Sequence, residues 1–138
     1  MAAVLIVEDD PLIAWSLGGI ISDGIGADVV IATSLAGAEE ELSRKFDFAL
    51  LDVNIKDDTT FALARRLSCE GVPLAFASGA CSTIIPDDLN AVPFLQKPCR
   101  SQVVINTIRS ALASSHLRTK NEDRRAEAGG PSGGSNPF

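Results

Sequence analysis

The stretch Phe48-Ala49-Leu50-Leu51 is apolar at every position and ends abruptly in Asp52. It lacks the polar alternation of a half-exposed strand, so it describes a strand buried on both faces. Such a strand needs helices on both sides of its sheet, which directs the chain toward parallel α/β architectures. Asp52 then stands at the carboxyl end of the strand, where ligands and chemistry collect in open parallel sheets.

The same kind of run recurs. Ala3–Val7, Asp28–Ile31, Phe46–Leu51, Val72–Ala77 and Ala91–Gln96 read as five strands. Helical segments lie between them. Asp10-Pro11 supplies an N-cap acid and a proline at the first helical position. Ile13, Leu17 and Ile20 then recur at helical spacing, Gly18-Gly19 weakens the helix, and Gly24 and Gly26 end it. Ser34 caps a second helix whose Leu35, Ala38 and Leu42 share a face. Asn54–Thr59 is polar and reads as a loop, and Phe61–Leu67 as a third helix. Pro86 breaks Ser78–Asn90, leaving at most a short, irregular fourth helix. Val104, Ile105, Ile108 and Leu112 mark a last amphipathic helix. Strict β-α alternation predicts a doubly wound, five-stranded parallel sheet in one domain, residues 1–116. The segment 117–138 turns charged, then rich in Gly, Ser and Pro, which predicts a disordered tail.

The formal net charge of the 138 residues is -6, and the acidic excess lies within residues 1–116. Nucleic-acid binders carry the opposite balance, so no nucleic acid is expected as partner. Protein partners or cations suit an acidic surface. Cys69, Cys81 and Cys99 have neither zinc-ligand nor CxxC spacing and read as buried or half-buried free thiols of a reducing compartment. No apolar run reaches membrane-span length, and Ala2–Val7 is too short for a signal peptide. A cytoplasmic protein is expected, with no membrane partner.

At the strand ends stand Glu8-Asp9-Asp10, then Asp52, then Ser78, then Lys97-Pro98. Clustered carboxylates repel unless a cation joins them, and hard oxygen donors suit Mg²⁺. Asp52 can act as a nucleophile toward a phosphoryl group. Lys97 can hold a phosphoryl oxygen as a point charge, and the Ser78 hydroxyl can donate to another. Taken singly, each is ordinary: an acidic run is a solvated helix entrance, an Asp after a strand is a turn residue, Ser-Gly and Lys-Pro are surface turns. The joint occurrence, one group per strand end, points to chemistry. Rival phosphate sites fail on the same residues. A P-loop or dinucleotide site needs glycines and backbone N–H groups after strand one, where three acids stand. A haloacid-dehalogenase-type phosphatase needs its Asp-x-Asp there.

Together, Val4-Leu5-Ile6-Val7-Glu8-Asp9-Asp10-Pro11-Leu12, Leu50-Leu51-Asp52-Val53-Asn54, Ala77-Ser78-Gly79 and Lys97-Pro98 resemble the receiver domain of two-component response regulators, over residues 2–116. The resemblance implies a flavodoxin-like sheet of order 2-1-3-4-5 and phosphorylation of Asp52 by a sensor histidine kinase or phosphotransfer protein. It implies Mg²⁺ held by Glu8, Asp9, Asp52 and the backbone carbonyl of Asn54, with Lys97 and Ser78 on the phosphoryl oxygens and a cis Lys97–Pro98 bond. It implies a switch pair, Ser78 and Phe94, and kinase docking at Leu12, Trp15, Ser16 and the segment Cys99–Ser101. Phe76-Ala77-Ser78-Gly79-Ala80-Cys81 resembles the alphaproteobacterial single-domain subgroup called FAT GUY, with Ser for Thr and Cys for the final Tyr. The loop after Asp52 departs from the family, reading Ile55-Lys56-Asp57-Asp58-Thr59 without the usual Pro and Gly-Gly.

Other features read more plainly. Trp15 falls off the Ile13–Leu17–Ile20 face, where core or half-buried packing competes evenly with partner contact. Phe94 reads as a packed strand residue as well as a switch. Ala80 leaves water access to Asp52 or simply packs its loop, and His116 lies near a helix end. The chain is expected to be a stand-alone phosphoacceptor, not an enzyme beyond slow loss of its own phosphoryl group. It would signal by contact with a downstream protein or drain phosphoryl groups from a kinase. The alternatives are a receiver-like interaction module that is not phosphorylated and, more weakly, a Mg²⁺-dependent phosphatase.

Overall fold

Val4, Leu5, Ile6 and Val7 are all fully buried in strand β1 (Ala3–Val7). Leu5 and Val7 join one apolar cluster while Val4 and Ile6 join another. Side chains alternate across a strand, so the two clusters lie on opposite faces of the sheet. The computed structural model describes residues 1–56, 58–79 and 85–114. Readings that concern Ala80, Cys81, His116 and the tail fall outside the described residues.

The other strands of the main sheet are β2 (Asp28–Ala32), β3 (Phe48–Asp52), β6 (Leu74–Ser78) and β7 (Phe94–Gln96). The order is β2-β1-β3-β6-β7, and every pairing is parallel. Counting only these five strands, this is the expected 2-1-3-4-5. Helices α2 (Leu35–Glu41) and α3 (Phe61–Cys69) cover one face through Ala38, Leu63, Ala64 and Leu67. Helix α1 (Pro11–Ile25) and α4, described over 101–114, cover the other through Leu17, Ile21, Val104 and Ile108. Burying each large aliphatic side chain stabilises the fold by roughly 1.5–3 kcal/mol.

Prolines set the strand edges. Pro73 and Pro93 lack the N–H a ladder requires, so β6 begins at Leu74 and β7 at Phe94, later than the apolar runs suggest. Phe46 is buried but precedes β3, with the Arg44 guanidinium 5.7 Å from its ring centroid. Between β6 and β7 the described residues contain one 3₁₀ turn, Asp87–Leu89, after Pro86. Arg65 of α3 holds that turn through two hydrogen bonds to the Asp88 carboxylate, at 2.7 and 3.2 Å.

Asp10 caps α1, its carboxylate accepting from the N–H groups of Leu12 and Ile13, with Pro11 at the first helical position. The helix turns a different face inward from the one its large residues suggest. Ala14, Leu17, Gly18 and Ile21 are buried, while Ile13 is 37% exposed. A Cβ on Gly18 would lie 3.3 Å from Ile31 Cδ1, so the glycine lets α1 settle against β2 on its narrow side. Trp15 is 77% exposed, which removes the packed reading of that ring. Gly24 does not end α1. It lies within the helix, where a Cβ would come 2.8 Å from Ile105 Cγ1, and so makes room for α4. Gly26 is the terminator, with φ 74° and its N–H donating to the Ser22 carbonyl.

Two further expectations change. Cys69 is exposed rather than buried, because it closes the last turn of α3 on the solvent side; Cys99 is half-buried and free, as expected. Asn54–Thr59 is not an open loop but a small antiparallel hairpin, β4 (Asn54–Ile55) with β5 (Asp58–Thr59). Ile55, its one apolar residue, is 2% exposed and belongs to the α2–α3 core. Lys56 turns the chain in the left-handed region, with φ 58°.

Candidate functional site

The parallel sheet brings the carboxyl ends of β1, β3, β6 and β7 to one rim, so Glu8, Asp9, Asp52, Ser78 and Lys97 converge. Glu8 is 2% exposed. One of its carboxylate oxygens takes a hydrogen bond from Lys97 Nζ, and the other accepts from the Asp10 N–H at 3.2 Å. The same ammonium lies 3.0 Å from Asp52 Oδ2. Burial pushes the Glu8 carboxyl up despite its hydrogen bond from Lys97, and the Asp52 carboxylate adds to the rise. Burial alone would lower Lys97, but its hydrogen bonds to Glu8 and Asp52 outweigh that and raise it. Lys97 is thus firmly an ammonium.

Asp9 has the opposite environment. The backbone N–H of Lys56 donates to Asp9 Oδ2 at 2.9 Å and holds the carboxyl below its usual range. The hairpin after β3 is therefore part of the site. Its base is tied down as well: Thr60, wholly buried, donates its hydroxyl to the Asp52 carbonyl at 2.6 Å, and its N–H to the Val53 carbonyl at 2.9 Å. Neither Lys56 nor Thr60 is among the site residues expected from the sequence. The signal for Thr60 was a hydroxyl residue directly before a helix, which looks like an ordinary cap.

Glu8, Asp9 and Asp52 each contribute a carboxylate oxygen to a group whose members all lie within 4.8 Å of one another. Three carboxylates and one ammonium leave two negative charges, and the donors are hard oxygens. That set fits a divalent cation of the Mg²⁺ type.

Ser78 is 3% exposed at the end of β6, in register with Gln96, and its carbonyl accepts from the Lys97 N–H at 2.9 Å. The Lys97–Pro98 bond is cis. Asn54 is exposed, and its N–H approaches Asp52 Oδ1 at 3.4 Å. Phe94 is half-buried against the α2–α3 core and in register with Phe76. Away from the acids, Leu12, Ile13, Ser16, Leu17 and Ile20 of α1 meet Lys97, Pro98 and Cys99 around an open groove of about 450 Å³. Leu12 is 78% exposed at its edge. Of the expected docking residues, this groove joins Leu12, Ser16 and Cys99. Trp15 lines an adjoining groove with Ser16, Val29 and Ile31.

No family model and no curated protein matches the sequence. Solved structures match its fold. A CheY-like response regulator receiver domain protein from Methanospirillum hungatei JF-1 is 22% identical, with a TM-score of 0.75 over 86% of this chain and 98% of that one. A sensor protein from Polaromonas sp. JS666 is 25% identical, with a TM-score of 0.73 over 83% and 98%. The signal receiver domain of an HD domain-containing protein from Pseudomonas fluorescens Pf-5 is 20% identical, with a TM-score of 0.74 over 84% and 98%. The fold is that of receiver domains. Among the described residues no helix is long and apolar enough to cross a membrane.

Proposed function

We propose that this chain is a response regulator that accepts a phosphoryl group on Asp52 from a sensor histidine kinase or phosphotransfer protein. The observation that carries the proposal is the convergence of Glu8, Asp9 and Asp52 with Lys97 on one rim of a receiver fold. An Asp52 carboxylate oxygen attacks the phosphorus of a phosphohistidine. The O–P bond forms as the P–N bond breaks, and its electron pair returns to the imidazole. Glu8, Asp9, Asp52 and the Asn54 carbonyl would hold Mg²⁺, which supplies charge neutralisation at the phosphoryl oxygens. Lys97 pairs with one phosphoryl oxygen in place of its present contact with Asp52, and the Ser78 hydroxyl donates to another. Hydrolysis returns Asp52 to a carboxylate slowly, so the chain is a phosphoacceptor rather than an enzyme.

The groove of Leu12, Ser16 and Cys99, with exposed Trp15 beside it, would receive the kinase. Ser78 moving toward the phosphoryl group would let Phe94 turn inward, making the two a switch. The chain would act alone in the cytoplasm, as in the single-domain subgroup that the sequence Phe76-Ala77-Ser78-Gly79-Ala80-Cys81 resembles. The test is radiolabel transfer from an autophosphorylated histidine kinase. Label should appear on this chain, be released by hydroxylamine as an acyl phosphate is, and be absent with Asp52→Asn. Label that resists hydroxylamine or persists on Asp52→Asn contradicts the proposal.

A further inference from the structure

Thr60 occupies the N-cap position of α3, yet its side chain makes no capping hydrogen bond. A cap threonine ordinarily accepts from an N–H of the first helical turn. Here the hydroxyl turns backward and donates to the carbonyl of Asp52 at 2.6 Å. Thr60 is 0% exposed, and its bond to the Asp52 carbonyl is partly shielded from water. The β-branched side chain restricts the direction of the hydroxyl.

Thr60 also roots the β4–β5 hairpin, since its N–H bonds the carbonyl of Val53, the residue between β3 and β4. At the other end of that hairpin the Lys56 N–H bonds the Asp9 carboxylate, 47 residues away in sequence. Buried Ile55 fixes the middle. One short element thus joins the backbone of Asp52 to the side chain of Asp9. Those are two of the three carboxylates at the rim.

We infer that Thr60 is a positioning residue for the acceptor site: by holding the Asp52 carbonyl and rooting the hairpin, it sets the Asp52 carboxylate relative to Asp9. The inference rests on the phosphoacceptor reading. Loss of the hydroxyl leaves the partly buried Asp52 carbonyl without that donor and loosens the hairpin at its base.

The test uses the full chain as wild type, Thr60→Val, Thr60→Ala and Thr60→Ser. Circular dichroism establishes folding, calorimetry gives Mg²⁺ affinity, and the amide proton shift of Lys56 is read in metal-free protein. Removing the hydroxyl should weaken Mg²⁺ binding by about tenfold, the low end for a group that orients a metal ligand. It should also move the Lys56 amide upfield, and Thr60→Ser should restore both. If Thr60→Val does not fold, Thr60→Ala carries the comparison. A folded variant lacking the hydroxyl, with wild-type Mg²⁺ affinity and an unmoved Lys56 amide, overturns the inference while leaving the acceptor reading intact. Wild-type protein that neither binds Mg²⁺ nor takes up a phosphoryl group overturns the acceptor reading, and this inference with it.

Discussion

Lys97 Nζ lies 3.0 Å from Asp52 Oδ2 while also holding the buried carboxylate of Glu8. One ammonium is shared by two acids, of which Glu8 is the more deeply buried. The folded pKa of Glu8 is raised above its ordinary 4.5. A raised value means that the favourable contribution is fully present below 4.5 and is lost as pH rises through the folded value. In Mg²⁺-free buffer, Glu8→Gln should therefore be more stable than wild type at pH 7, with the gap closing as the pH falls through the raised folded value toward 4.5. Urea unfolding across that range measures it. A gap of the opposite sign would mean that the Lys97 ion pair outweighs burial.

The three consecutive acids divide their work. Glu8 and Asp9 face Asp52, whereas the Asp10 carboxylate caps α1. Asp10→Ala should cost about 1 kcal/mol of stability and leave Mg²⁺ affinity unchanged. Asp9→Asn should do the reverse, weakening Mg²⁺ binding with less effect on unfolding. Calorimetry and urea titration separate the two. Equal loss of Mg²⁺ affinity in both variants would contradict this division.

Trp15 is exposed beside the Leu12–Ser16–Cys99 groove. Trp15→Ala should change stability by no more than about 0.5 kcal/mol, as for a surface site. Phosphotransfer from the kinase should slow by about tenfold or more, the loss expected for an aromatic anchor. Phosphorylation by acetyl phosphate should keep its rate. Equal slowing with both donors rejects the docking role.

Gly24 and Ile105 form a close approach of α1 to α4, reinforced by Arg109, which donates to the Gly24 carbonyl at 2.9 Å. Gly24→Ala should destabilise by about 1–3 kcal/mol through overpacking. In an Ile105→Ala background the same change should become neutral or stabilising, because Ala exceeds Gly in helix propensity by about 1 kcal/mol. A double-mutant cycle by urea unfolding measures the coupling.

The five strands and the rim residues Glu8, Asp9, Asp52, Ser78 and Lys97 were legible because strands buried on both faces leave continuous apolar runs, whereas the sheet order came from the resemblance to receiver domains. A polar residue ending such a run stands out. The inward face of α1 was not legible. Ile13–Leu17–Ile20 and Ala14–Leu17–Ile21 are both spaced as a helix face, by four then three and by three then four, and the choice between them was made by how closely Gly18 lets the helix approach Ile31. The hairpin was hidden for a similar reason. Five of its six residues are polar, and what folds it is the burial of Ile55 and a bond from Lys56 to Asp9, which no local pattern encodes. Thr60 holds the sequence position of a cap, while its hydroxyl bonds the Asp52 carbonyl instead.

The central claim is that Asp52 accepts a phosphoryl group in a Mg²⁺-dependent reaction. Intact mass spectrometry after incubation with acetyl phosphate tests it most directly, with wild type and Asp52→Asn, each with Mg²⁺ and with chelator. A single phosphoryl adduct should form on wild type with Mg²⁺, and none on Asp52→Asn or in chelator. An unchanged mass in wild type, even with a competent histidine kinase as donor, or an adduct that survives Asp52→Asn, would contradict it.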